Sequence, residues 1–597
     1  MKIIIIGGGI SGLTIAHELI EKNFDIEIYE KDNILGGMAK SIRTKNNVPT
    51  EHSWRGYGPF YYNFFNIAKR IPIHHLESFN QYTKDEVSQH NTEDDFWVTY
   101  KNEVYDITEF LNQHPGGSII LNSAGQDLED VWYDFGYEWH MNNDNVMRVL
   151  KKYKIGKLVE VKEEFDKGKT VFDNLVKEGL DFRFWYNKDD DKKSHDLTYS
   201  DLYYLTKLFG NVILSKDKSK YYNVRLDPLI KKNLSKAGYH YIADYIAGPG
   251  YGFDKNTMSL GHYADFVEYN LNENKRWKVM NQPTNEAWID PWVNFLKQKG
   301  VKFFTNHELK FIKTNNNKIT KLIFNNDKIV QGDDYVIAIN PFNYSDILKN
   351  NDMDYKLYDK LNIVNNQISF RLGFDKKINF HNLEYGGFVL VDSPYNITFY
   401  AQEDHWKDNI KLGMDGKIKT LLSGTIILPY NKGSLYKKSG LSLTLDQLKE
   451  EIIHQIYECE KFRNFCNESG VKKDNIIFKE IYEDWYETDN FLKTKNKKWV
   501  NNFLNEDYRP LQKTKFSNLF LSGAHCKTSI SIWSMEGAVE SGKITSNLIL
   551  SKYKLQLCNY HKHQSNLLIC LLKESDFLIK LILVILILFI YNRKKNL

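Results

Sequence analysis

Gly7, Gly9 and Gly12 stand in the spacing G-x-G-x-x-G directly after the apolar run Ile3 to Ile6. The first two glycines permit a tight turn and a close backbone approach to a pyrophosphate, and the third lets a helix pack on the strand and aim its positive N-terminus at that group. Eighteen positions after Gly12, Glu30 closes a second strand pattern, Ile26 to Tyr29, where a carboxylate can accept from a ribose hydroxyl. Strand, glycine turn, helix, strand and acid together predict dinucleotide binding. A second glycine pair needs another reading: in ITEFLNQHPGGSIILNSAGQ, residues 107–126, Pro115 stops a helix and Gly116-Gly117 turn the chain immediately after His114.

These groups must be positioned by more than one folding unit, because 597 residues exceed the ~250–300 at which a single core stops growing. A formal charge of +4 over that length is nearly balanced, which argues against a nucleic-acid partner. The five cysteines form no C-x-x-C pair, so neither a thiolate zinc site nor a disulfide framework is expected. No apolar region with a cleavage site precedes the first strand, so no secretory signal is expected. At the other end FLIKLILVILILFIY, residues 577–591, is broken only by Lys580 and followed by Arg593, Lys594 and Lys595. It predicts a single-pass C-terminal tail anchor, with the catalytic domains in the cytoplasm.

The residues after Glu30 bear on which dinucleotide is bound. Gly36-Gly37-Met38 opens GGMAKSIRTKNNVPTEHSWRGYG, which resembles the flavin-binding part of the amine oxidase and phytoene desaturase superfamily. NLFLSGAHCKTSISIWSMEGAVESGKITSNLI, residues 518–549, resembles the same superfamily's C-terminal signature. The resemblance implies FAD, bound by Gly7, Gly9, Gly12, Glu30, Gly36, Gly37, Met38 and Gly523, with the helix at Met535 pointing its N-terminus at the isoalloxazine. PTNEAWIDPWVNFLKQKGVKFFTNHELKFI, residues 283–312, resembles the helix and strand that precede a further backbone contact, placed at Leu309. Where many relatives carry an acid after the late glycine, this chain has Ala524-His525. His525 is left with two readings, a hydrogen-bond donor to the cofactor or a neutral packing residue.

The stretch around His-Pro-Gly-Gly, from Tyr82 to Leu158, resembles the cytochrome b5 haem-binding domain, in a variant closest to that of sulfite oxidases. The resemblance implies haem b held by two axial imidazoles. His114 is one; His140 is the other, being the histidine left between His114 and the end of the module. His90 is assigned to a surface turn. With both axial positions filled by protein, such an iron transfers electrons and leaves no site for oxygen or substrate.

The expected fold is α/β: a Rossmann-type FAD-binding domain with an α+β substrate domain, an inserted α+β cytochrome b5-like domain and a C-terminal transmembrane helix. The expected boundaries are 1–78 and 199–550 for the flavin body, 79–160 for the insertion, 161–198 for a charged linker, 551–576 for a spacer and 577–591 for the anchor. The function implied is that of an FAD-dependent oxidoreductase of desaturase or dehydrogenase type. Its small-molecule substrate would be apolar and isoprenoid or lipid-like, and its internal haem would serve an external electron donor or acceptor. Flavin amine oxidation and a non-catalytic haem carrier are the alternatives. A third, reduction of the haem by a nicotinamide cofactor, lacks a second G-x-G-x-x-G.

Overall fold

A computed structural model describes residues 1–564 and 569, apart from Trp54, 74–80, Asn142, 160–168, 178–182, 189–196, 247–253, 272–276, 352, 362–363, 366 and 381–386. The chain forms two compact units: residues 1–71 with 171–597, and residues 72–170.

In the first unit β1 (Lys2–Ile6), α1 (Ile10–Ile20) and β2 (Asp25–Tyr29) make the expected β-α-β start. β3 (Lys302–Phe304), β4 (Asp334–Ile337) and β5 (Leu519–Leu521) complete a five-stranded sheet of order β3-β2-β1-β4-β5. Every pairing in it is parallel. Both faces of such a sheet are covered, which explains the unbroken isoleucines of β1, each at most 4% exposed. Distant segments therefore meet: the strand before Gly523 lies in the same sheet as the strand before Gly7.

Helix α2 (Met535–Lys552) returns the chain to α1. The two helices touch through small residues. A Cβ on Gly542 would lie 2.7 Å from the Thr14 side chain and 3.0 Å from the Ser11 carbonyl oxygen. The Ser11 hydroxyl donates to the Ala538 carbonyl at 2.7 Å. Buried Lys543 reaches across to Glu18 at 2.8 Å.

The substrate part of this unit is a six-stranded sheet containing Ile368–Phe374, Thr420–Ile426 and Ile476–Ile481, packed on the helices Leu445–Glu458 and Glu460–Glu468. The stretch expected as linker, 161–198, is corrected in part. Leu175–Lys177 pairs with Lys278–Met280, and Arg183–Trp185 joins the six-stranded sheet. Trp185 is 2% exposed, so its burial outweighs the charge around it. The expected spacer also carries structure, since Asn63 and His561 exchange hydrogen bonds at 2.7 and 2.9 Å.

The second unit has its own five-stranded sheet, including Asp95–Tyr100, Glu103–Asp106 and Lys154–Leu158. Phe96, Val98, Ile107, Leu128 and Trp132 are among its core. Thr83 opens the helix Lys84–Gln89 with a reciprocal cap to Glu86. The insertion therefore runs from 72 to 170, wider than 79–160 at both ends. Among the described residues no helix is long and apolar enough to cross a membrane, and the anchor expected over 577–591 lies outside the described residues.

Candidate functional site

Where β1 ends, the backbone must turn and leave a gap. Gly7 has φ +108°, and a Cβ there would lie 2.5 Å from the Ala338 carbonyl oxygen. Gly12 is required for a different reason: its Cβ would meet the Gly7 carbonyl oxygen at 2.0 Å. Gly12 thus sets helix α1 against the turn, and Gly7 and Gly9 face the cavity.

That cavity has a volume of about 410 Å³. Gly7, Gly9, Glu30, Gly36, Gly37, Met38, Leu309, Gly523 and Met535 all line it, although they come from opposite ends of the chain. Glu30 Oε2 accepts from the Gly8 amide at 2.8 Å and Oε1 from the Asp32 amide at 3.0 Å. Burial pushes its carboxyl above the ordinary range, while the two amides oppose that shift. Gly36 (φ +110°) and Gly37 (φ +56°) occupy backbone states that favour glycine, and Gly36 lies against Gly9.

Arg55 holds this second glycine loop in place. Its guanidinium donates to the carbonyls of Met38 at 2.7 Å, Ala39 at 3.1 Å and Ser53 at 2.8 Å. At the late end Ser534 caps α2, its hydroxyl accepting from the Gly537 amide at 3.1 Å. The first turn of α2, with Ser534, Met535 and Ala538 in the lining, thereby brings the positive end of its dipole to the cavity. Glycine turns, a ribose-binding acid and a helix N-terminus suit the phosphates, ribose and ring of a flavin dinucleotide.

His525 lies in the lining but is 5% exposed. Burial, with Arg509 adding to it, lowers its pKa to about 3, so the ring is neutral. It packs edge-on against Trp499 with ring centroids 6.3 Å apart. A neutral ring can still offer one N–H, so both readings of this residue stand.

Three further cavity residues were not singled out from the sequence. Lys498 is 3% exposed and donates to Gln367 Oε1. His52, 4% exposed, has no hydrogen-bond partner on either ring nitrogen among the described residues. His52 falls inside the quoted stretch 36–58, but like Gln367 and Lys498 it has no spacing that marks it, and the fold brings the three to one cavity from far apart in sequence.

In the second unit the two predicted imidazoles are held alike. His114 follows the short 3-10 segment Thr108–Gln113, and its Nδ1 donates to the Gly117 carbonyl at 3.2 Å. His140 ends the segment Glu138–His140, and its Nδ1 donates to the Tyr137 carbonyl at 3.0 Å. A carbonyl can only accept, so in each ring Nδ1 carries the proton and Nε2 keeps its lone pair for a metal. Gly116 is needed beside His114, since a Cβ there would lie 2.9 Å from Cε1. His140 is stacked by Trp139 at 3.8 Å and faced by Trp132 at 5.2 Å. Half-buried Phe110, Leu121, Tyr137, Met141 and Val146 add apolar surface, so donor set and surroundings fit a haem. His90 instead meets Asp95 at 2.8 Å and stacks on Trp97, an arrangement that leaves it structural.

Known proteins bear on both units. Residues 83–159 match the family model described as cytochrome b5-like heme/steroid binding domain. Residues 5–71 match the NAD(P)-binding Rossmann-like domain, and residues 477–550 match flavin containing amine oxidoreductase. Cytochrome b5 of Drosophila melanogaster is 44% identical over 85 residues, which are 14% of this chain and 60% of that protein. Cytochrome b5 of Candida tropicalis is 35% identical over 102 residues, 17% of this chain and 75% of that protein. A solved structure of wild-type putrescine oxidase bound to putrescine superposes with TM-score 0.53 at 11% identity, covering 92% of this chain and 99% of that one. At that identity the likeness is one of fold. Through its inserted module the chain belongs to the cytochrome b5 family, and the body around that module carries the flavin containing amine oxidoreductase match over residues 477–550 on a fold shared with putrescine oxidase.

Proposed function

We propose that the chain takes two electrons from a small-molecule substrate at FAD and passes them singly, through the haem of the inserted module, to an external redox partner. The observation that carries this reading is the presence in one chain of a glycine-lined dinucleotide cavity and of two histidines whose Nδ1 is committed to a backbone carbonyl, leaving Nε2 without a hydrogen-bond partner among the described residues. Glu30 would hold the ribose, the backbone at Gly7, Gly9, Gly36 and Gly37 the phosphates, and the helix start at Met535 the isoalloxazine, with Met38, Leu309 and Gly523 beside it. His114 and His140 would hold haem b. When bound, FAD accepts an electron pair that can leave one electron at a time, and a bis-histidine haem carries electrons singly.

Two substrate classes are supported. The resemblance of residues 51–58 and 283–293 to desaturase-type enzymes, with the apolar stretch 577–591 as a tether to a membrane facing the cytoplasm, favours an apolar isoprenoid or lipid-like substrate. The cavity lining favours an amine: Tyr61, Trp277, Tyr482, Trp499 and Trp533 offer aromatic faces, and Lys498 offers a basic nitrogen. That a structural neighbour is named putrescine oxidase accords with the second class.

The purified chain should bleach at its flavin bands when mixed anaerobically with members of the right class. Bleaching by amines and not by polyenes or unsaturated lipids would exclude the desaturase reading, and the converse would exclude amine oxidation. A purified protein with haem absorption and no flavin would instead leave a haem carrier.

A further inference from the structure

Lys498 lines the flavin cavity, which also holds Glu30, Asp32 and Asp484, yet among the described residues none of these carboxylates pairs with it. It lies on a two-residue strand, Lys498–Trp499, paired antiparallel with Val364–Asn365. Its Nζ sits 4.5 Å from the centroid of the Trp533 ring, two residues before α2 begins. The ammonium donates to a neutral acceptor, Gln367 Oε1, and among the described residues Lys498 makes no ion pair.

Its charged surroundings raise the cost of a second positive charge. Arg55 is the cation that acts on it, its guanidinium 3.7 Å from Glu51 and otherwise taken up by backbone carbonyls. His52, whose two ring nitrogens have no partner among the described residues, is held neutral by burial, with Lys498, Arg55, Arg371 and Lys40 adding to the effect. Tyr482 meets the His52 ring edge-on at 5.8 Å, and burial keeps its hydroxyl protonated. Glu480 lies toward Arg371 rather than toward Lys498. Burial first and Arg55 second bring the Lys498 ammonium down to about 7.

We propose that Lys498 is the proton-accepting group of the site, its neutral amine taking a proton from the nitrogen of a protonated primary or secondary amine substrate. The inference rests on the amine reading above. In the step one substrate N–H bond breaks, its proton forms a new N–H bond on Lys498, and the electron pair stays on the substrate nitrogen. That lone pair can then become the second bond of C=N as the α-carbon gives its hydride to FAD. The total charge is unchanged in the proton transfer. The transfer requires Lys498 to be neutral when the cationic substrate enters, so the site carries one positive charge on this nitrogen pair before and after the step, and among the described residues no carboxylate pairs with Lys498 to hold it protonated. Gln367 positions the Lys498 amine, and His52 offers a second neutral nitrogen near the same end.

The test uses the full chain with both cofactors. Competitive acetylation with acetic anhydride, read by mass spectrometry from about pH 5 to 11, should give Lys498 a midpoint near 7. A midpoint near the ordinary lysine value of 10.5 overturns the proposal. In anaerobic mixing with amines, flavin reduction should rise with pH through about 7. It should fall by roughly 100-fold or more in Lys498→Met and Lys498→Arg at unchanged FAD content, the scale of a lost general base. Faster reduction at low pH would assign Lys498 to anion binding and overturn the proposal. An unchanged rate in Lys498→Met overturns it while leaving amine oxidation intact, whereas a wild-type flavin that no amine reduces overturns both. Should either variant fail to fold, the acetylation midpoint of the wild type still decides.

Discussion

The Glu30 carboxylate is committed to the backbone before any ligand arrives. Its two oxygens fix the amides of Gly8 and Asp32 and so shape the turn, and each retains a lone pair for a ribose hydroxyl. Glu30→Ala should therefore act twice, leaving buried donors unpaired and removing the ribose acceptor. A charged hydrogen bond is worth about 1.5–3 kcal/mol, so FAD should bind roughly 10- to 100-fold more weakly, as measured by titrating the apoprotein and following flavin fluorescence. Affinity equal to the wild type would detach Glu30 from the ribose. This residue was legible in the sequence because strand, turn and acid are local and regularly spaced. His52, Gln367 and Lys498 were not, because what distinguishes them is burial together in one cavity, and only the folded chain creates that.

At the scale of elements, the contact of α1 with α2 decides whether the two halves of the cavity meet. Gly542 permits it by letting Thr14 and the Ser11 carbonyl come close. Gly542→Val would push the helices apart; overpacking of this kind costs about 1–3 kcal/mol, and the temperature at which flavin is released should fall. An unchanged release temperature would show that the contact yields easily. The sequence placed both helices by their glycines and strands, and it located the insertion by resemblance. It missed the strands Leu175–Lys177 and Arg183–Trp185, since a charged neighbourhood read as linker hides short apolar runs whose partners lie far along the chain. The same holds for the hydrogen bonds that tie His561 to Asn63 across nearly the whole length of the chain.

At the scale of the whole molecule, a two-electron centre and a one-electron centre are built as separate compact units of one chain. The haem unit enters and leaves the flavin body through neighbouring points, Ile71 and Val171, joined by a backbone hydrogen bond of 2.9 Å, so the insertion leaves the parallel sheet intact. Passage of electrons between the two cofactors of a single molecule is the central claim, and it can be tested without choosing a substrate: photoreduce the flavin anaerobically with a sacrificial donor, then follow the haem Soret band in the dark. The Soret band should shift to its reduced position at a rate independent of protein concentration, and no such shift should occur in His140→Ala, which removes one of the two imidazoles proposed to hold the haem. A reduced flavin beside a haem that stays oxidised, or a rate that scales with protein concentration, would contradict the claim.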